Sequence, residues 1–253
     1  MLRFFRSAIL LTAIASVFTL PAHGVNRDAV KRDYDGRAIV TAGLDTAPTA
    51  AQQAALNALQ AAIPSLGYSI DHATGVTRTL SNHTGYLSGP QSGDHEAIAD
   101  SWLKANTTLL GISAADLADR ELESKVYSAV TGATHIYWRQ RAGGLSLYNG
   151  QLHVNVNRDG RLMSVNNKFL PGLAAAVNTT LPALSAADAV AAAATHLGAN
   201  AGEVSMVQAP SGSDQHTVLS APAFSKEPIE ARLNLVAIAA GNARLAWNFL
   251  VYT

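Results

Sequence analysis

The sequence predicts an α+β protein of two units, each a single helix packed across an antiparallel sheet. Three observations lead there. From Thr131 to Leu170 apolar and polar residues alternate with a period of two, which turns one row of side chains to a core and the other outward. Twice a helix-capping residue stands ahead of an apolar repeat at helical spacing, and strand patterns follow: Asp94 before Ile98 and Trp102, Ser185 before Val190, Ala193 and Leu197. The chain also has no cysteine, so neither a disulfide framework nor a thiolate metal site contributes, and burial must hold the fold.

Residues 1–24 read as an export signal. Arg3 and Arg6 give a positive start, Ala8 to Leu20 an apolar stretch, and Pro21-Ala22-His23-Gly24 the small residues of a cleavage site. The apolar stretch is well short of the roughly 20 residues that span a bilayer. The expectation is a secreted chain, extracellular or periplasmic, with no membrane association after cleavage. Removing Arg3 and Arg6 leaves 16 Lys and Arg against 18 Asp and Glu, a net charge of −2. That balance argues against nucleic acid as a partner. About 230 residues remain, enough for one large core or two smaller ones.

Residues 25–93 are predicted to form an N-terminal segment with a helix and a hairpin. The helix runs from Pro48 to Ile63, capped by Thr46 or Thr49, with Leu56, Leu59 and Ile63 on one face and Pro64 as its stop. The hairpin spans Tyr68 to Leu80 and turns at Ala73-Thr74-Gly75, and a loop from Ser81 to Gly93 closes the segment. Residues 94–170 hold the first helix-plus-sheet unit. Its helix reaches about Asn106, with Ile98, Trp102 and Ala105 inward, and Ser113 with Asp116 caps a short turn. Strands follow near Lys125–Val130, Thr134–Arg141, Leu145–Tyr148, Gln151–Asn157 and Arg161–Asn167. Residues 171–183 read as a linker, and 184–253 restate the plan. There Ser185 and Asp188 cap a helix that Gly198 ends, and strands follow at Val204–Gln208, His216–Leu219, Ile229–Ile238 and Arg244–Tyr252. Leu245, Trp247, Phe249 and Val251 are expected on one face of the last strand.

No residue pattern completes a reactive site. The helical zinc signature needs His-Glu-x-x-His, because only that spacing puts both imidazoles on one face. His95-Glu96 is followed by Ala99 at the second histidine position, so the motif fails. His135 and His153 fall on polar rows of strands with no carboxylate to complete a site. No Gly-x-Ser-x-Gly elbow is present, and Asp33 with Asp35 or Asp116 with Asp119 are carboxylates of capping and solvated segments. Asn82, Asn106 and Asn178 each begin an Asn-x-Thr triplet. By these tests the chain has no catalytic residues and no metal ligands of its own.

One stretch carries a family pattern. In THIYWRQRAGGLSLYNGQLHVNVNRDGRLMSVNNKFLP a strand ends in Arg139-Gln140 and a turn holds Gly143-Gly144. An aromatic-Asn-Gly step follows at Tyr148-Asn149-Gly150, then a Val154-Asn155-Val156 strand, an Asp159-Gly160 hairpin and a return strand with Ser164. The run Thr79 to Gly85, the Leu184-Ser185 helix start and Arg244-Leu245-Ala246-Trp247 agree as flanks. This pattern, over residues 33–253, resembles the fungalysin/thermolysin propeptide (FTP) prodomain of secreted fungalysin-type zinc metallopeptidases.

The resemblance implies a propeptide that assists folding of a protease and inhibits it until cleaved, with two cystatin-like units as the scaffold. The partner would be a fungalysin-like catalytic domain, in cis or in trans. That domain, with its His-Glu-x-x-His helix and zinc, would lie beyond Thr253, so no cofactor and no catalytic role are expected on this chain. Two other readings stand beside it: the N-terminal part of a complete metallopeptidase precursor, and a free-standing exported binding module.

Overall fold

The computed structural model describes residues 44–252. The leader predicted over 1–24 lies outside them, as does most of the segment that follows it. The described residues form an α+β structure of two compact units, one of residues 44–177 with Ala237–Ala243, the other of Asn178–Val236 with 244–252.

In the first unit, helix α1 (Ala50–Ala62) starts where Thr49 accepts a hydrogen bond from the Gln52 N–H at 3.1 Å. It buries Gln52 and Leu56, and Leu59 and Ile63 pack half-buried against the core. Gln52 is tolerated inside because its amide donates to Gly75 O at 3.1 Å and to Thr77 Oγ1 at 3.0 Å. Strands β1 (Leu66–Ile70) and β2 (Thr77–Asn82) pair antiparallel around the predicted turn, where Gly75 has a φ of 78°. Helix α2 (His95–Ala105) is capped by Asp94, which accepts from the Glu96 and Ala97 N–H groups at 3.1 Å each. Its buried face is Ile98, Ala99 and Leu103, not the expected Ile98, Trp102 and Ala105. The helix is rotated so that Trp102 lies half-buried at the margin and Ala105 is exposed.

Short helices α3 (Thr107–Leu110) and α4 (Ala114–Ala118) lead into the sheet, and Ser113 with Asp116 forms the predicted capping box. Strands β3 (Arg120–Tyr127), β4 (Thr134–Ala142), β5 (Leu145–Val156) and β6 (Leu162–Asn167) follow, then one helical turn, α5 (Leu173–Ala176). The order across the sheet is β1–β2–β6–β5–β4–β3, antiparallel at every step. Leu56, Leu80, Leu103, Ile136, Leu152, Val154 and Phe169 join in one core between the helices and the sheet. Each such side chain contributes roughly 1.5–3 kcal/mol on burial. The Lys125–Asp94 pair that ties β3 to the start of α2 is exposed and screened by solvent, so the core decides the fold.

Strand β3 begins at Arg120, five residues ahead of the predicted Lys125. Its two faces are both largely exposed, Leu122, Val126 and Tyr127 included, so no alternation marked it. Strand β5 runs unbroken where the sequence suggested two strands.

In the second unit, helix α6 (Ala186–His196) has a capping box between Ser185 and Asp188 and ends at Gly198, whose φ is 67°. It buries Ala189, Val190, Ala193 and Ala194, and Leu197 is half-buried. Strands β7 (Ser205–Ser211), β8 (His216–Ser220) and β9 (Ile229–Ala239) pair antiparallel in that order, and β10 (Asn242–Asn248) pairs with β9. The last strand ends at Asn248, short of the expected Tyr252. Of the expected face, Trp247 is buried within it, and Phe249 and Val251 are buried beyond its end. Leu245 is only half-buried, and Ala246 takes the inner place. Trp247 Nε1 donates to Leu184 O at 2.9 Å, which fastens β10 to the start of α6. No helix among the described residues is long and apolar enough to cross a membrane.

Candidate functional site

The family-patterned residues lie on the β4–β5–β6 meander, and strand register sorts them by face. Arg139 and Gln140 are neighbours in β4, so they point to opposite sides. Arg139 faces outward and pairs with Glu123 of β3, whose other oxygen accepts from Gln151 Nε2 at 2.8 Å. Burial raises the Glu123 carboxyl, but hydrogen bonds from Gln151 and Arg139 outweigh it and hold the group below its ordinary range.

Gln140 is fully buried. Its Oε1 accepts from the Leu170 N–H at 2.7 Å and its Nε2 donates to Leu170 O at 2.8 Å. The chain leaving β6 is thereby clamped by a side chain of β4. Asp116 extends the clamp: one oxygen accepts from the Gly172 N–H at 2.8 Å, and the other serves the Ser113 cap.

Opposite Gln140 the register slips. Arg139 pairs with Gln151 and Arg141 with Ser146, so Leu147, Tyr148, Asn149 and Gly150 bulge across a single residue of β4. Asn149 makes the bulge with a φ of 56°, in the left-handed region that asparagine tolerates better than most residues. Burial changes phase across it: Leu145 and Leu147 are inside before, Gly150, Leu152, Val154 and Val156 after. A Cβ on Gly150 would come within 2.6 Å of the Leu147 side chain. Gly143 and Gly144, with φ of 58° and 79°, form the β4–β5 turn of the kind two-residue hairpins prefer.

Val154 is fully buried between Ile136 and Val165. Asn155 faces outward, where its Nδ2 donates to Ser164 Oγ at 2.8 Å and its Oδ1 contacts His135 Nδ1. Asp159 and Gly160 lie at the β5–β6 turn, held by Asn157 Oδ1, which accepts from the Asp159 and Arg161 N–H groups at 3.0 and 2.9 Å. Gly160 has a φ of 72° and lies directly under the backbone of Gln91.

The outward face carries cross-strand rows spanning five strands. One is Val126–His135–Asn155–Ser164–Ser81, the next Ser124–Tyr137–His153–Asn166–Thr79. Tyr137 stacks on His153 with ring centroids 4.0 Å apart and planes 7° from parallel. Sequence reasoning placed His153 on a polar row but did not find its stack on Tyr137, nor the roles of Glu123 and Asp116. Ser113-x-x-Asp116 was visible as a cap, whereas the Gly172 contact, 56 residues away, left no local signal. The rows offer hydroxyls, amides and imidazoles for hydrogen bonding. Among the described residues no three His, Asp or Glu side chains gather to hold a metal ion.

His153 gives this face a pH response. Its Nε2 is buried without a hydrogen-bond partner. Burial lowers its pKa, the nearby His135 adds to that, and a contact with Asn155 opposes it. The unfolded chain therefore binds the proton more readily than the folded one. Stability is full above the unfolded pKa of about 6.5 and falls as pH drops toward the folded value. Replacing His153 with Phe keeps a ring against Tyr137 and removes the titration. The melting temperature of the variant is expected to change less between pH 7.5 and 5 than that of the wild type. Equal pH slopes would contradict this.

With that geometry in place, residues 121–169 match the family model described as the Fungalysin/Thermolysin Propeptide Motif, which takes in β3 to β6. The chain is 36% identical over 132 residues to the extracellular metalloproteinase MEP of Leptosphaeria maculans, a match covering 51% of this chain and 21% of that protein. Extracellular metalloproteinase 2 of Phaeosphaeria nodorum is 44% identical over 46 residues, 18% of this chain and 7% of the relative. Extracellular metalloproteinase 4 of Arthroderma gypseum is 35% identical over 81 residues, 32% of this chain and 11% of the relative. The chain thus matches about a fifth or less of the length of each of these relatives.

Proposed function

We propose that this chain, which carries an FTP propeptide motif at residues 121–169 and is homologous there to fungal extracellular metalloproteinases, works as the folding assistant and inhibitor of a secreted protease domain. The observation that carries the reading is that motif. Several of its polar and glycine positions serve the fold, as Gln140 clamping Leu170 and Asn149 forming a bulge, which supports reading the motif as a scaffold. A scaffold that binds only the native form of a partner stabilises it by mass action, by about 2.7 kcal/mol at one hundred times the dissociation constant. If the bound surface includes the active-site cleft, the same contact inhibits. Zinc and the catalytic residues then belong to the partner domain, and export brings both to the outside of the cell. The share of the Leptosphaeria relative that the match leaves over, with 21% covered, is ample for such a domain in the same polypeptide, which favours action in cis.

Refolding tests the assistant's role. The denatured catalytic domain of the fungalysin-type protease from the same source is diluted from denaturant with and without this chain. The active yield is expected to rise with added chain and to saturate near one chain per protease. A yield that ignores the chain at every ratio rules this role out.

A further inference from the structure

The three Asn-x-Thr triplets, at Asn82, Asn106 and Asn178, are not equivalent in the folded chain. Asn82 is closed into its own turn: Nδ2 donates to Tyr86 O at 2.9 Å, and Oδ1 accepts from the Thr84 N–H at 3.1 Å and Ser65 Oγ at 2.7 Å. Asn106 is half-buried, and its Nδ2 donates to Trp102 O at 2.8 Å, satisfying a carbonyl in the last turn of α2. Asn178 differs from both. It is exposed together with Thr179 and Thr180, outside any helix or strand. Its side chain is held at one end only, where Oδ1 accepts from the Leu245 N–H at 3.0 Å. The Leu245 N–H needs an acceptor, so the bond fixes which end of the amide is oxygen. Among the described residues Nδ2 has no partner.

We propose that Asn178 carries an N-linked glycan when the chain passes through a glycosylating secretory pathway, and that Asn82 and Asn106 do not. In the transfer the amide nitrogen bonds to the anomeric carbon of a lipid-pyrophosphate-linked oligosaccharide. The anomeric C–O bond breaks, the lipid pyrophosphate leaves with the electron pair, and the amide gives up one proton. At Asn178 the product keeps the Oδ1 bond to Leu245 and projects into solvent. At Asn82 or Asn106 a glycan would have to leave through the amide that closes the turn or the helix end. A bulky glycan at Asn178 keeps the surrounding surface in water, so that surface is excluded from any contact with a protease. The proposal rests on the export reading.

The test places the full chain behind a yeast export leader, so that entry to the pathway does not depend on residues 1–24. Wild-type chain recovered from the medium is expected to show a single endoglycosidase-sensitive gain in mass. Asn178→Gln should abolish it, and Thr180→Ala should do the same while leaving the Asn178–Leu245 bond in place. Asn82→Gln and Asn106→Gln should retain it. A wild-type chain without glycan, or a glycan that survives both Asn178→Gln and Thr180→Ala, overturns the proposal. Neither result bears on the refolding of a protease, so the two readings fail separately.

Discussion

Gly160→Val is expected to unfold the chain or bring it close to unfolding. Two costs meet at this position. The φ of 72° is left-handed, which costs a residue with a Cβ about 1–2 kcal/mol, and more if β-branched. A Cβ placed there would also lie 1.9 Å from Gln91 O and 3.0 Å from Ile98 Cδ1. Gln91 is not free to retreat, because its N–H donates to Asp159 O at 3.1 Å. Overpacking of this kind costs typically about 1–3 kcal/mol, and the combined loss of about 2–5 kcal/mol is a large part of the 5–15 kcal/mol that holds an ordinary domain folded. Two variants separate the costs. Gly160→Asn retains a residue that accepts positive φ but not the space, so it should remain strongly destabilised. Gly241→Ala has a φ of 67° and nothing within 4 Å of the new Cβ, so it should lose only about 1–2 kcal/mol. Thermal melts of the three rank the effects. A Gly160→Asn variant as stable as wild type would remove the close approach from the account.

Gln140→Leu is expected to cost about 2–6 kcal/mol. Leucine has nearly the same bulk, so cavity formation is small and the change isolates the hydrogen bonds. Both the N–H and the C=O of Leu170 are served by Gln140, at 2.7 and 2.8 Å, and the site is closed to water. Each buried polar group left unpaired costs about 1–3 kcal/mol. Arg139→Leu, one residue away, removes an ion pair with Glu123 on the partly exposed face and should cost at most about 1 kcal/mol. Denaturant midpoints measure the contrast. Equal losses at the two positions would show that the clamp does not bear on stability.

What was legible in the sequence is what local chemistry fixes. Asp94, Ser113 and Ser185 cap helices as read, and Thr49 is the one of the two candidates that caps α1, because a cap and the N–H groups that it serves lie within three residues. The glycines at 75, 143, 144 and 160 sit at turns as read, and the structure gives each a positive φ. The α+β class followed from these local signals. The fixed spacing of β4 and β5 also placed His135 and His153 on the outer rows.

Contacts between distant segments were not legible. Nothing in Thr79–Ser81 announces that β2 pairs with Ser164–Asn166 of β6. Gly160 reads as an ordinary hairpin glycine, whereas the structure adds a second reason for it, the passing backbone of Gln91. Tyr148-Asn149-Gly150 reads as a break between two strands because the apolar phase changes there. A bulge produces the same phase change without ending the strand. Alternation puts Arg139 and Gln140 on opposite faces, but nothing local announces that the inward Gln140 clamps Leu170, thirty residues away. The face of α2 was misjudged for a similar reason: Trp102 is the largest apolar residue of that helix, but the fully buried positions are Ile98, Ala99 and Leu103, and Trp102 packs half-buried beside them.

On the function proposed above, this folded scaffold, and not the bare sequence, binds and restrains a secreted protease. The most direct measurement is a titration of the mature fungalysin-type protease from the same source with wild-type chain and, in parallel, with Gly160→Val. The expected result is saturable inhibition by the wild type and little or none by the variant, with potency following the folded fraction. Full protease activity at every concentration of the folded wild type would contradict the claim, and so would equal inhibition by the folded and the unfolded chain.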